Sequence, residues 1–453
     1  MRRGVMGKIF GTDGARGIAN QELTVSLAFN LGKAGAFVLS GTSNHVPTIL
    51  LGSDTRISSD MLMSACEAGL CAMGANVIRA GVVTTPAVAY LTKLYKCDAG
   101  IVVSASHNSY EYNGIKFFNR DGFKLPDEVE DEIEKIVLGN GGGSIKTHDA
   151  IGRIYKDRNC ARSYADFLSS NIKSDIKGVR VLIDCANGAA SDFAPQVFKA
   201  AGCDLTVVCA SPNGLNINAD CGSTHMNNLV SMVRQGHYDI AFAYDGDADR
   251  VLAISDEGEI LDGDVLMSVL SLYLKDNGLL SKDTVVVTEL SNLGMDHFVQ
   301  KNGLKLVRTK VGDRYVVEEM QRSGYAIGGE QSGHIILLPF QTTGDGILGS
   351  LKLTEILVRN KMKSHEFFDI MRPLPQIMVN ARIRNDNKPE LKNDEVIQKE
   401  YHKIESELIN RGRIILRVSG TEPVIRVMIE GDDADYISEK ARGLADLIHE
   451  RLG

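Results

Sequence analysis

Short apolar runs alternate with amphipathic stretches along most of the chain, and one arrangement of them returns three times. Thr48 to Leu51 is too short for a helix and reads as a strand. Leu62, Ala65, Cys66, Gly69, Leu70 and Met73 then recur at helical spacing, and Gly74 precedes a second strand, Asn76 to Ile78. The same order follows in strand Val179 to Ile183, a helix through Val197 and Phe198, Gly202, and strand Leu205 to Val208. A third copy has strand Thr284 to Val287, a helix through Phe298 and Val299, Gly303, and strand Leu304 to Val307. Strand, helix, terminal glycine and strand make a βαβ-type unit, so the pattern predicts three α/β lobes of related design with mixed sheets.

Other segments depart from that repeat. Ile101-Val102-Val103 is a β-branched apolar run and reads as a buried strand; it breaks into the polar turn Ser104-Ala105-Ser106-His107-Asn108. A second strand, Ile115 to Phe118, follows a Tyr-Asn-Gly turn and brings Lys116 back towards the serines. Gly139-Asn140-Gly141-Gly142-Gly143-Ser144 reads as a linker by composition. The tail follows a different pattern, in which Gln376 to Ile383 alternates like a strand and Asp394 to Asn410 is helical. Ile414 to Val418 and Val424 to Glu430 are strands, and Asp433 to Leu452 closes as a helix. That is a smaller α+β domain. The boundaries expected are 1–150, 151–255, 256–368 and 369–453.

At 453 residues, 43% hydrophobic and 24% charged, the chain is an ordinary globular protein of about three or four domains. A net charge of -8 excludes a broad basic surface for nucleic acid, so an anionic substrate must meet positive charge locally. The eight cysteines lack a CxxC pair and lie largely within apolar runs, as reduced core residues do. No apolar run reaches the roughly 18 to 20 residues of a membrane span, and no secretory h-region follows the first basic residues. A cytoplasmic protein is expected.

Candidate chemistry sits in five loops. Ser106, beside His107 and within loop reach of Lys116, has the make-up of a nucleophile with a base, although taken alone these residues read first as a plain capped turn. Gly11 to Gly17 offers a tight glycine loop with Arg16 as an anion clamp, or a surface turn. Asp245, Asp247 and Asp249 stand at every second position between two apolar strands; converging carboxylates repel unless a hard divalent cation joins them. Glu330 and Ser332, two apart in extended backbone, would face one way with an acceptor and a hydroxyl for vicinal sugar hydroxyls; a hairpin turn is the alternative. Arg417, Ser419, Gly420, Thr421 and Arg426 concentrate donors suited to phosphate around one turn.

Taken as a set, SASHN, DGDADR, GEQSGH and RVSGTEPVIRVM resemble, in order and over nearly the whole chain, the loops of the α-D-phosphohexomutase superfamily. FGTDGARG, PNGLNINADCGSTH and TTGDGIL resemble its branch acting on glucosamine phosphates. The resemblance implies four domains around a central cleft, each lending one loop. It implies an isomerase that interconverts glucosamine 6-phosphate and glucosamine 1-phosphate through a phosphoserine and glucosamine 1,6-bisphosphate. The product would feed UDP-N-acetylglucosamine and cell-wall synthesis.

Carried over residue by residue, Ser106 is the phosphorylated carrier, and it joins Asp245, Asp247 and Asp249 around one Mg2+. Lys116 and His107 transfer protons, and for Lys116 to accept one, neighbouring cations must lower its pKa. Arg16, Arg250 and Lys310 line the phosphoryl path. Glu330 and Ser332, in the loop that ends at His334, grip sugar hydroxyls. Arg417, Ser419, Gly420, Thr421 and Arg426 hold the non-reacting phosphate. The partner expected is a small phosphosugar, with no nucleic acid or membrane, and a homodimer is compatible. Ser109 replaces the family's usual proline, which leaves the stiffness of the loop in question. The five residues before Met6 read as a start-site extension. Phosphomannomutase or phosphoglucomutase activity is the alternative within the superfamily. An aspartate-nucleophile phosphatase, suggested by Asp245-Gly246-Asp247 after a strand, is the alternative outside it.

Overall fold

In the computed structural model, which describes residues 9–11, 13–40, 45–139, 143–157, 159–409, 411–419 and 423–453, each repeated segment forms a parallel strand pair joined by a helix. The first sheet holds β1 (Ala15–Ile18), β2 (Thr48–Ser53), β3 (Asn76–Val82), β4 (Ala99–Val103), β5 (Tyr112–Asn119) and β6 (Ile154–Lys156), ordered β1-β5-β4-β2-β3-β6. The second holds β7 (Arg180–Asp184), β8 (Asp204–Val208), β9 (Ile240–Tyr244), β10 (Val251–Ser255) and β11 (Ile260–Leu261), ordered β11-β10-β9-β7-β8. The third holds β12 (Thr284–Thr288), β13 (Lys305–Thr309), β14 (Ile327–Gly329) and β15 (Ile335–Leu337), ordered β13-β12-β14-β15. Thus β6 lies past residue 150 yet joins the first sheet, and β11 lies past residue 255 yet joins the second.

One plan underlies all three. The opening strand of each repeat, β2, β7 or β12, lies between two parallel neighbours, and the second of these turns back into an antiparallel strand. Residues 104–111, 245–250 and 330–334 are therefore equivalent hairpin loops at the carboxyl ends of β4, β9 and β14. In open α/β sheets ligands gather at those ends. Gly74, Gly202 and Gly303, the glycines that close the repeated helices, have φ of 88°, 84° and 62°, which is open to glycine without strain. Strands β4, β9 and β12 are buried at every residue, which is why they read as continuous apolar runs.

The chain divides into two units: residues up to Leu290 with Leu304–Ile370, and Ser291–Gly303 with Met371–Gly453. Helix Gly294–Asn302, which the pattern places in the third lobe, groups with the second unit. There Asn292 donates from Nδ2 to the Leu374 carbonyl (3.0 Å) and accepts at Oδ1 from the Leu374 N–H (2.8 Å). The second unit also holds the antiparallel sheet β16 (Gln376–Arg382), β18 (Val424–Gly431) and β17 (Gly412–Val418), in that spatial order. Helices Glu395–Glu407 and Ala434–Leu452 cover it through Ile397, Ile404, Ile437, Leu444 and Ile448. Asp394 and Asp433 cap these helices with their carboxylates.

None of the eight cysteines forms a disulfide. Among the described residues, no helix is long and apolar enough to cross a membrane. Of the expected linker, residues 140–142 lie outside the described residues, as does the segment before Met6.

Candidate active site

The first hairpin loop is built around a buried ion pair. Arg56 donates from Nε to Asp54 Oδ2 (2.8 Å), and both side chains are 0% exposed. Its remaining N–H groups go to loop carbonyls: Ser106 and Asn108 (2.9 Å each), Tyr112 (3.0 Å) and Ser109. Asn218 donates from Nδ2 to the Ser106 and Asn108 carbonyls as well, at 2.9 Å each. Ser104 Oγ bonds Asp54 Oδ2 (2.7 Å) and accepts from the Ser106 N–H (3.0 Å). The loop is therefore held firmly without the proline that Ser109 replaces. Five-donor guanidinium forks suit such a job, because their geometry is fixed.

With its carbonyl held on that side, Ser106 presents its hydroxyl to the second loop. Its backbone takes φ 53°, a left-handed conformation unusual for a residue with a Cβ. Ser106 Oγ donates to Asp245 Oδ2 at 2.5 Å and stands 3.4 Å from His107 Nδ1. A Cβ at residue 246 would lie 2.6 Å from the Ser106 carbonyl oxygen, so only glycine lets the two loops approach this closely.

Asp245, Asp247 and Asp249 are buried, and one oxygen of each lies within 4.8 Å of the others. Asp247 Oδ2 accepts from Thr85 Oγ1 (2.7 Å) and Lys116 Nζ (3.0 Å). Asp247 Oδ1 and Asp249 Oδ1 have no hydrogen-bond partner although buried. Orphaned buried carboxylate oxygens are costly, and a hard divalent cation satisfies them; the donor set is all oxygen, as magnesium prefers. Burial, then repulsion from Asp249 and Asp247, holds the Asp245 carboxyl well above its ordinary range. Burial also pushes Asp249 upward, but Lys116 and then His334 outweigh it and hold that carboxyl well below its range.

Lys116 corrects one expectation from the sequence. Its neighbours are chiefly carboxylates and not cations: Nζ is 3.0 Å from Asp13 Oδ2, 3.0 Å from Asp247 Oδ2 and 3.6 Å from Asp249 Oδ2. Burial disfavours its ammonium, yet Asp13, Asp247 and Asp249 more than offset this, so its pKa moves up. His107 goes the other way: burial, then Arg250 and Arg16, lower it to about 4 and leave the imidazole neutral. Of the two groups, the histidine is neutral and the lysine charged.

Arg16 lies in β1 and bonds Asp13 through Nη2 and, from Nε, the Asp13 carbonyl (3.2 Å). Arg250 Nε is 4.0 Å from Asp249 Oδ1, and Asp245, Asp249 and then Glu330 override burial to keep its guanidinium charged. His334 reaches Asp249 Oδ1 with Nδ1 (3.6 Å) and Asp313 Oδ2 with Nε2 (3.3 Å). Lys310 is exposed at the end of β13, with Nζ 5.7 Å from the Tyr315 ring centre.

The third loop departs from the extended form expected of it. The Gly333 N–H bonds the Glu330 carbonyl at 3.0 Å, closing a turn over 330–333. Glu330, half-buried, accepts from the Gly312 N–H at Oε1 (3.0 Å), while Ser332 is exposed at the tip. Their common facing therefore does not follow from strand alternation.

In the second unit, Arg417 on β17 stands directly opposite Arg426 on β18. Directly opposed residues of antiparallel strands project from the same face of the sheet, so both arginines belong to one face. Ser419, which is buried, bonds the Val424 carbonyl through its N–H (3.0 Å); Gly420 and Thr421 lie outside the described residues.

Several residues at the site carried no sequence signal of their own. Asp13 lay in a loop of which only Arg16 was singled out; it joins Lys116 to Lys124, whose Nζ is 2.6 Å from Asp13 Oδ1 and also pairs with Asp313. Asp54, Arg56 and Thr85 belong to no recognisable pattern, and Asn218 lies in PNGLNINADCGSTH, a stretch that resembled the family without pointing to any one residue. They act on partners 50 or more positions away.

Comparison with known proteins gives a consistent result. The chain matches the phosphoglucomutase/phosphomannomutase family in alpha/beta/alpha domain I over residues 7–141, domain II over 162–258, domain III over 262–374 and the C-terminal domain over 378–447. It is 50% identical over 449 residues to the phosphoglucosamine mutase of Ruminiclostridium cellulolyticum, covering 99% of this chain and 100% of that one. It is 48% identical over 447 residues to that of Clostridium acetobutylicum, with 98% and 100% covered. Among solved structures, a phosphoglucomutase/phosphomannomutase family protein of Burkholderia thailandensis superposes with TM-score 0.80 at 21% identity, over 97% of both chains. The Aspergillus fumigatus N-acetylphosphoglucosamine mutase, solved with GlcNAc-6P and magnesium, superposes with TM-score 0.70 at 18% identity, covering 98% of this chain and 96% of that one.

Proposed function

The chain belongs to the phosphoglucomutase/phosphomannomutase family, and from that premise we propose that it interconverts glucosamine 6-phosphate and glucosamine 1-phosphate. The observation that carries this reading is Ser106 Oγ, set 2.5 Å from Asp245 inside a buried three-carboxylate cluster. Whole-length identity of about half with phosphoglucosamine mutases supports the amino sugar as substrate. The four domains that the family match gives, over 7–141, 162–258, 262–374 and 378–447, would each supply one loop.

Each turnover begins with a phosphoryl group on Ser106. The O1 hydroxyl of glucosamine 6-phosphate attacks that phosphorus; the O1–P bond forms as the P–Oγ bond breaks, giving the 1,6-bisphosphate. His107, held neutral, accepts the hydroxyl proton, and Lys116, held as an ammonium, donates one to the departing Ser106 Oγ. After the bisphosphate turns over, Ser106 recovers the phosphoryl group from O6 and glucosamine 1-phosphate leaves. Such transfers depend mainly on positioning and on neutralising charge. Arg16, Arg250 and Lys310 provide positive charge along the path. Glu330, Ser332 and His334 hold the sugar, and Arg417, Ser419, Gly420, Thr421 and Arg426 the idle phosphate. Asp245, Asp247, Asp249 and a phosphoserine oxygen would hold one Mg2+, which when bound supplies charge neutralisation at the transferring group. The reading places the enzyme in the cytoplasm, ahead of UDP-N-acetylglucosamine synthesis, and is compatible with a homodimer.

No observation favours an aspartyl phosphatase, since Asp245 is fully buried with Oδ2 engaged by Ser106. Peptide mapping after incubation with glucosamine 1,6-bisphosphate tests the chemistry, with phosphate expected on Ser106. Side-by-side turnover of glucosamine, glucose and mannose phosphates tests the substrate. An unlabelled Ser106, or glucosamine phosphate turned over no faster than the others, overturns the respective half.

A further inference from the structure

Beside the carboxylate cluster lies a second group of metal-capable side chains with different chemistry. Asp184 ends β7, Cys209 follows β8 directly, and Cys221 closes the loop that begins at Cys209. One ligand atom of each lies within 4.8 Å of the other two. Both oxygens of Asp184 are oriented by backbone donors, Oδ1 by the Ala186 N–H (2.8 Å) and Oδ2 by the Gly222 N–H (2.9 Å). Asn187 Nδ2 donates to Cys221 Sγ at 3.8 Å. Amide donors to sulfur and carboxylate are the kind of outer contact that orients metal ligands and stabilises their charged forms. Cys221 is buried, whereas Cys209 is half-buried and leaves an approach from solvent.

We propose that Asp184, Cys209 and Cys221 form a binding site for a soft divalent cation, zinc by preference. Two thiolates select zinc over magnesium, which the all-oxygen cluster prefers. Three protein ligands leave the fourth tetrahedral position to water. Binding turns two thiols into thiolates and releases their protons to solvent, so the site fills more readily as pH rises.

The position gives the ion a purpose. Cys209 and Cys221 are the two ends of the loop that carries Asn218, and Asn218 holds the carbonyls of Ser106 and Asn108. An ion joining both ends to the tip of β7 would pin that loop, with Asn218 acting as a positioning residue for Ser106. The site itself stands apart from the mutase reading, and its test does not need turnover.

Cobalt(II) added to the reduced full-length protein in magnesium buffer provides that test. A sulfur-to-cobalt charge-transfer band should appear, and zinc should abolish it by displacement. Cys209→Ser should lose the band, whereas Asp247→Asn, which alters only the all-oxygen cluster, should keep it. Amide exchange across 209–221 should slow when zinc is added to the unsubstituted protein. Cobalt bound by the unsubstituted protein without a thiolate band, or a band that survives in Cys209→Ser, overturns the proposal. The first of these results needs no variant, so misfolding of a substituted chain cannot obscure it.

Discussion

Replacing Arg56 by lysine separates the charge beneath the Ser106 loop from the geometry that charge is given. The guanidinium serves five acceptors: Asp54 and the carbonyls of Ser106, Asn108, Ser109 and Tyr112. An ammonium has three donors on one atom, so at least two acceptors lose their bond. Asn218 still serves Ser106 and Asn108, and the loss therefore falls on Ser109 and Tyr112. Ser109 and Tyr112 are exposed residues whose carbonyls water can reach, so each lost bond costs its net worth of about 0.5–1.5 kcal/mol, which puts Arg56→Lys at about 1–3 kcal/mol of loop stability. The loop then relaxes, and Ser106 Oγ leaves its 2.5 Å contact with Asp245. A shift of about 1 Å in a reacting group lowers turnover by roughly 100-fold. Steady-state rates with glucosamine 6-phosphate, alongside hydrogen exchange over residues 104–112, read both effects. Arg56→Lys with turnover within about threefold of the parent and unchanged exchange would refute the loop-frame argument.

Other substitutions probe the remaining parts. Ser106→Ala should abolish isomerisation while calorimetry still detects sugar phosphate binding; an unchanged rate would remove Ser106 from its role. Asp247→Asn should remove the rise in melting temperature that magnesium gives the parent chain, because it deletes one of the two carboxylates with an orphaned buried oxygen. Asp345 offers a test by pH: it accepts from Tyr164 Oη–H (2.8 Å) and caps helix Gly346–Asn360 through the Leu348 N–H (2.9 Å). Burial lifts its pKa from 3.8 to about 6. The folded chain thus holds an extra proton between these values, so Asp345 favours folding most at the acid end. Its contribution falls, by about 3 kcal/mol at most, as pH rises through that window. Asp345→Asn keeps an acceptor for the cap and should flatten the difference; urea unfolding across the window that shows the same slope in both chains would contradict it.

Much of the architecture is legible in the sequence, because local pattern suffices for it. Apolar runs of four or five residues, helical spacing and a closing glycine define each repeat whatever surrounds it. Likewise the DGDADR carboxylates announce a cation because their mutual repulsion is a property of their spacing. What folding decided were the partnerships across the sequence. Arg56 has no motif, yet the turn of β4 into β5 sets four carbonyls around it. Lys116 could accept a proton only if cations lowered its pKa, but Asp13 and the second hairpin surround it with carboxylates, which move its pKa up. Glu330 and Ser332 looked like strand neighbours until Gly333 closed their turn, and helix Gly294–Asn302 left its lobe to join residues after Met371. Periodicity reports which face of an element seeks burial; it carries no record of which distant side chain will be there, and at this site the charges are set by those distant neighbours.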